Sequence, residues 1–101
     1  MISKPQNDGV VIIPTYNEIE NIRAIIRAVT SLEKPLDVLI IDDGSPDGTA
    51  DAVKELMQTE LQGRLHLLER KGKLGLGTAY ICGFKWAIEH GYDYIFEMDA
   101  D

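Results

Sequence analysis

The sequence predicts an α/β fold in three layers, with a four-stranded parallel Rossmann-like sheet between helices. Three observations carry this reading. Short apolar runs, "GVVIIP", "DVLII", "RLHLLE" and "DYIFEM", recur along the chain. Between them lie longer stretches whose apolar residues repeat at helical spacing. No segment repeats internally, and no low-complexity linker divides the chain. Strands that alternate with helices form parallel sheets with right-handed crossovers, which places helices on both faces.

The elements follow in order. "GVVIIP" is continuous, β-branched and apolar, as a strand buried on both faces must be, and Pro14 is expected to stop it because proline cannot donate to a ladder. A helix follows, with Asn17 as its expected cap, Glu20 completing a capping-box pattern, and Ile19, Ile22, Ile25, Ile26 and Val29 as its apolar stripe. "DVLII" is a second strand, and "TADAVKELMQTEL" a second helix with Ala52, Val53, Leu56, Met57 and Leu61 turned inward. "RLHLLE" is a third strand, a third helix runs from about Leu76 to His90 with Gly83 as a weak spot or a close packing point, and "DYIFEM" is a fourth strand.

Composition bounds the function. With 101 residues, 45% of them hydrophobic and 27% charged, the chain suits one core and one domain, residues 1–101. Its net charge of −7 repels a phosphate backbone, so nucleic acid is not expected as a partner. The single cysteine, Cys82, has no partner for an internal disulfide, which suits a reducing compartment and a role as a small buried hydrophobe. The apolar runs fall far short of the roughly 20 residues that span a bilayer. "MISKPQNDG" holds no apolar signal segment, so a cytoplasmic location is expected.

In a parallel sheet all strand carboxyl ends share one edge, and ligands bind there where the strand order reverses. Tyr16, Asn17 and Glu18 follow the first strand, Asp42 and Asp43 end the second, and Asp99 and Asp101 end the fourth. Caps and turns would account for Asn17 and for "SPDGT", but neighbouring carboxylates at a strand end cap nothing by themselves. Two carboxylates about 4 Å apart repel by about 4 kcal/mol at an effective dielectric near 20, a cost that a cation or bound hydroxyls would offset. Mg²⁺ or Mn²⁺ suits such a rim, because each takes one or two protein carboxylates and completes its shell with phosphate oxygens. The loop "ERKGKLGLGTAY" adds Arg70, Lys71 and Lys73 among Gly72, Gly75 and Gly77 before a helix N-terminus, a natural anion site. It is neither a Walker A loop nor a dinucleotide fingerprint, since it lacks the Gly-Lys-Ser/Thr of one and the third glycine of the other.

Together and in this order, "VVIIPTYNE", "IDDGSPDGTAD", "GKLGLGTAY" and "MDAD" resemble the inverting family 2 glycosyltransferases of GT-A fold, and more narrowly the polyprenol-phosphate (dolichol-phosphate) mannosyltransferases. The resemblance runs from Gly9 to Asp101. It implies a strand order of third, second, first, fourth, and a nucleotide pocket lined by Pro14, Tyr16 and Glu18. It assigns Asp43, with Asp42 as a weaker contact, to the nucleoside. Asp101 becomes a direct metal ligand and Asp99 a ligand or ribose contact, with Arg70 and Lys73 as further contacts to the nucleotide-sugar. Implied donors are GDP-mannose or UDP-sugars, and the implied acceptor is a polyprenyl phosphate on the cytoplasmic membrane face, where the intact protein would be peripheral.

Members of this family continue past the Asp-x-Asp element with a further metal ligand and acceptor-binding parts. The chain therefore resembles the nucleotide-sugar-binding half of a truncated enzyme, with no catalytic residue of its own expected and no transfer by the 101 residues alone. The alternative is a non-catalytic nucleotide-binding or self-associating half-domain. A receiver domain and a haloacid-dehalogenase-like phosphatase both place their acidic chemistry on the first strand, which here ends in "IIPTYNE". Tyr94, Ile95 and Phe96 at an uncovered sheet edge would favour a homodimer through the fourth strand.

Overall fold

The structure, a computed structural model, describes residues 7–72 and 74–100. Among them seven elements alternate: β1 (Gly9–Thr15), α1 (Ile22–Thr30), β2 (Asp37–Asp42), α2 (Thr49–Gln58), β3 (Leu65–Glu69), α3 (Leu76–Glu89) and β4 (Tyr94–Glu97). The strands form one parallel sheet in the order β3-β2-β1-β4, as the resemblance implies. Order reverses between β1 and β4, and that switch point fixes where a ligand can bind.

Two cores flank the sheet because successive side chains of a strand point to opposite faces. Val11, Ile13, Val38 and Ile40 pack against Ile22 and Ile26 of α1 and Val53 and Leu56 of α2. Val10, Ile12, Leu39 and Ile41 pack against Ala79 and Ala87 of α3 and Tyr92. Cys82 packs at the margin of this second core, in line with its expected role as a small hydrophobe. Ala79, Gly83 and Ala87, four residues apart and all buried, form the stripe that seats α3 on the sheet. A Cβ at Gly83 would lie 2.7 Å from Cγ2 of Ile12, which makes this glycine a close packing point rather than a weak spot.

Two boundaries differ from the sequence reading. β1 runs through Pro14 to Thr15, with Pro14 in register with Ile41. The proline acts on the other neighbour instead. The carbonyl of Ile12 accepts from the N–H of Met98, and the next rung toward β4 would need a donor at position 14, so that ladder ends and residues 98–100 turn away. Asn17 also does not cap α1. It sits in the left-handed region at φ 57°, and α1 begins at Ile22 with no side-chain cap bond from Asn21. The N–H groups of this loop are satisfied from the β2–α2 loop: Asn17 donates to Ser45 Oγ (2.8 Å), Glu18 to Thr49 Oγ1 (3.0 Å) and Ile19 to Asp47 Oδ2 (3.2 Å).

At the amino-terminal end of the sheet, away from the site, fully buried Asp37 accepts from Tyr92 Oη at 2.6 Å and Asn7 Nδ2 at 2.8 Å. Burial, reinforced by this bond to Asp37, pushes the Tyr92 phenol well above its ordinary pKa. Among the described residues β4, at the sheet's edge, pairs only with β1, and its Tyr94 and Phe96 are 55% and 48% exposed. No helix among the described residues is long and apolar enough to cross a membrane.

Candidate functional site

Four segments meet at the carboxyl ends of the strands: Tyr16–Asn21 after β1, Asp43–Gly48 after β2, Arg70–Gly72 with Leu74 and Gly75 after β3, and Met98–Ala100 after β4. They enclose a cavity of about 280 Å³ lined by Pro14, Thr15, Tyr16, Glu18, Asp43, Gly75, Leu76, Asp99 and Ala100. Because β1 lies between β2 and β4, Asp43 and Asp99 stand on either side of the Pro14–Tyr16 segment, at the switch point. Five residues expected from the sequence, Pro14, Tyr16, Glu18, Asp43 and Asp99, are thus brought to one cavity. Lys73 and Asp101 lie outside the described residues.

Asp42 and Arg70 are both held by protein partners. Asp42, at 1% exposure, accepts from Thr15 Oγ1 (2.7 Å), Ser45 N (2.9 Å) and Ser45 Oγ (2.6 Å), so both its oxygens are bonded to protein donors. A buried carboxylate is stable only with such donors, and here they tie the end of β1 to the β2–α2 loop. Consecutive residues of an extended chain point oppositely, so Asp42 turns inward and Asp43 faces the cavity.

Arg70 grips Asp43 in a two-point pair, Nε to Oδ1 at 2.6 Å and Nη2 to Oδ2 at 2.9 Å. The two side chains are 13% and 9% exposed. The same guanidinium donates to the Gly75 carbonyl at 3.2 Å and Thr78 Oγ1 at 3.0 Å, and the Leu74 N–H reaches Asp43 Oδ2 at 3.3 Å. Arg70 therefore fixes the orientation of Asp43 and anchors the glycine-rich loop, and its charge is already matched. The close approach continues at Gly44, with φ +75°, where a Cβ would lie 3.1 Å from the Gly72 nitrogen.

Asp47 is held in its charged form. Burial opposes that form, but hydrogen bonds from Thr49 and from the Ile19 N–H outweigh it and keep the carboxyl below the usual range. Tyr80 on α3 donates to Oδ1 of Asp99 at 2.9 Å. Burial, then the bond to Asp99, pushes its phenol up to about 12, so it remains a donor at neutral pH. Tyr80 and Ser45 were not among the expected site residues. The signal for Tyr80 was a polar-tipped aromatic in the first turns of the helix that follows the glycine-rich loop.

With Asp43 matched by Arg70, Glu18 and Asp99 leave the cavity with an acidic wall that would repel a diphosphate. No group of three His, Cys, Asp or Glu among the described residues could hold a metal by itself. The exposed carboxylate of Asp99, a hard oxygen donor on the cavity wall, nevertheless fits Mg²⁺ or Mn²⁺, which accept one or two protein carboxylates when phosphate oxygens supply the rest.

Residues 10–101 match the family described as glycosyl transferase family 2. The chain belongs to this family. Among its glycosyl transferase relatives, the polyprenol monophosphomannose synthase of Mycolicibacterium smegmatis is 44% identical over 98 residues, covering 97% of this chain and 37% of that protein. The undecaprenyl-phosphate mannosyltransferase of Micrococcus luteus is 47% identical over 90 residues, covering 89% of this chain and 36% of the relative. The chain thus spans a little over a third of the length of the curated relatives it matches. Among solved structures, a mannosyltransferase from Pyrobaculum calidifontis in complex with GDP-Man and Mn²⁺ is similar with a TM-score of 0.73 and 27% identity, over 85% of this chain and 27% of that one.

Proposed function

We propose that this chain is the nucleotide-sugar-binding half of an inverting glycosyltransferase that moves mannose from GDP-mannose to a polyprenyl phosphate. The observation that carries the reading is the switch-point cavity with Asp43 on one side of the Pro14–Tyr16 segment and Asp99 on the other. The relatives named for polyprenol and undecaprenyl phosphate, and the neighbour holding GDP-Man and Mn²⁺, support the donor and acceptor classes.

In this reading Asp43, held rigid by Arg70, receives a hydroxyl or N–H of the nucleoside, and Pro14 and Tyr16 wall its pocket. Asp99 would hold Mg²⁺ or Mn²⁺ beside the diphosphate, and the family resemblance assigns Asp101 to the same ion and Lys73 to the nucleotide-sugar. Such an ion, when bound, neutralises the leaving diphosphate. The acceptor phosphate is already anionic and needs little general base, so the protein's task is to orient donor and acceptor for displacement at the anomeric carbon. In this reading the intact protein would work beside the membrane that holds its lipid acceptor.

Calorimetric titration with GDP-mannose and with UDP-glucose, each with Mn²⁺ or EDTA, tests this. GDP-mannose affinity is expected to rise at least about tenfold with Mn²⁺, and Asp99→Asn or Asp101→Asn to remove most of that gain. Equal binding in Mn²⁺ and EDTA would exclude a metal bridge.

We also infer that two copies pair through β4. The N–H groups of Tyr94 and Met98 point to β1, which leaves those of Ile95 and Glu97 on the open edge. Beside them an apolar cavity of about 270 Å³ is lined by Gly9, Lys34, Leu36, Tyr94 and Phe96. An unpaired edge with apolar side chains templates another strand. Light scattering after size exclusion should give about twice the 11.3 kDa chain mass. Glu97→Pro, which removes an open-edge donor without touching the core, should return the monomer. A monomeric wild type at high micromolar concentration would refute the pairing.

A further inference from the structure

The acidic wall of the cavity contains one carboxylate whose orientation is set by a tyrosine. Tyr80 Oη donates to Asp99 Oδ1 at 2.9 Å, while Oδ2 has no hydrogen-bond partner among the described residues. The phenol has a packed support. Its ring packs on the α3-side core, and its neighbours in the helix, buried Ala79 and Gly83, hold α3 against β1 at the distance where a single methyl would collide with Ile12. Asp99 has no comparable anchor of its own: it is exposed and lies past the end of β4, where Pro14 has ended the ladder.

We propose that Tyr80 is a positioning residue that sets both the affinity and the identity of the divalent cation held with the nucleotide diphosphate. The inference rests on the reading above, in which Asp99 faces that cation. With the phenol competing for Oδ1, Asp99 is biased to engage the ion through Oδ2. One-point ligation suits a small ion that demands octahedral geometry, such as Mg²⁺, and Mn²⁺ takes the same oxygen donors in the same octahedral arrangement. Ca²⁺ is larger, takes six to eight oxygens and commonly uses both oxygens of a carboxylate. Tyr80 thus disfavours the binding mode that Ca²⁺ uses best.

The test compares wild type with Tyr80→Phe, which keeps the ring and its packing, in GDP titrations with Mn²⁺, Mg²⁺, Ca²⁺ or EDTA, alongside the Mn²⁺ paramagnetic resonance signal. Loss of the phenol should weaken Mn²⁺-supported GDP binding about tenfold and reduce the Mn²⁺ over Ca²⁺ preference by a similar factor, with GDP binding in EDTA unchanged. Tyr80→Leu, which also lacks the hydroxyl but packs differently, should show the same fall in preference. A merely structural role would weaken binding in all four conditions together and leave the Mn²⁺ over Ca²⁺ ratio intact, and that result overturns the proposal. Wild type that responds to cations while both variants keep the wild-type ratio overturns this inference alone. Wild type that binds GDP equally with and without every cation overturns the metal reading and this inference with it.

Discussion

Arg70→Met should lower the stability of the protein by about 3 kcal/mol and weaken donor binding together with it. The substitution keeps the apolar stem and removes only the guanidinium. Asp43 would then keep one long bond, 3.3 Å from the Leu74 N–H, in place of the two-point pair at 2.6 and 2.9 Å. Its side chain is 9% exposed, so water reaches it poorly. Breaking a buried pair costs about 3–5 kcal/mol because one charge is left without compensation, and the lower end applies since both side chains keep some contact with solvent. The effect extends beyond the pair. The guanidinium also anchors the Gly75 carbonyl and Thr78, so the glycine-rich loop loses its tether and the cavity loses one wall. Urea denaturation should show a midpoint shifted down with the slope retained. In a double-mutant cycle, Asp43→Asn with Arg70→Met should cost much less than the two single losses added, since the orphaned charge is then absent. Additive losses would show that the two side chains act independently.

The elements of the fold were legible because the two periodicities are unusually clean. "VVII" and "VLII" are continuous apolar runs in the two strands that the structure buries on both faces, and Ile22, Ile26 and Val29 recur at helical spacing on the face that α1 buries. The boundaries that differed depend on partners far along the chain. The capping-box pattern at Asn17 and Glu20 is a local rule, but the donors of that loop are satisfied by Ser45, Asp47 and Thr49, 28 to 31 residues away. Proline was expected to end β1, whereas its missing N–H acts on the rung toward β4, a constraint visible only when the neighbour of each edge is known.

The site divides along the same line. Asp43 and Asp99 were legible as carboxylates at strand ends, because a parallel sheet brings those ends to one edge. Which of Asp42 and Asp43 faces the cavity depends on the phase of the pleat, and a pair of identical neighbours carries no mark of it. Arg70 was read as a cation for phosphate from its place among glycines. Asp43, 27 residues earlier, holds it first. The Tyr80–Asp99 bond joins residues 19 apart on different elements and depends on the height of α3 above the sheet, which Gly83 sets.

That height is testable by Gly83→Val, for which a destabilisation of about 4 kcal/mol is expected. An alanine at an ordinary helix position is better than glycine by about 1 kcal/mol, so propensity alone favours the change. Packing opposes it. A Cβ at residue 83 would lie 2.7 Å from Ile12 Cγ2, 2.9 Å from Ile12 Cδ1 and 3.0 Å from Ile41 Cδ1. Ile12 is fully buried on β1, which is paired on both sides, and its Cγ2 branches directly from Cβ, so the side chain has little room to withdraw. The helix must lift instead, and overpacking of this kind typically costs about 1–3 kcal/mol for added methylenes. Gly83→Ala should therefore lose about 1 kcal/mol net. Valine adds two further carbons and a β-branch that helices disfavour, which raises the cost. Lifting α3 also draws Tyr80 away from Asp99, so Gly83→Ala, which stays folded, should weaken Mn²⁺-supported GDP binding while leaving binding in EDTA near wild type. Thermal and urea denaturation check the first part and calorimetry the second. An alanine variant more stable than wild type would show that α3 can rise without cost, and the account of Gly83 as the residue that sets the site's height would fail.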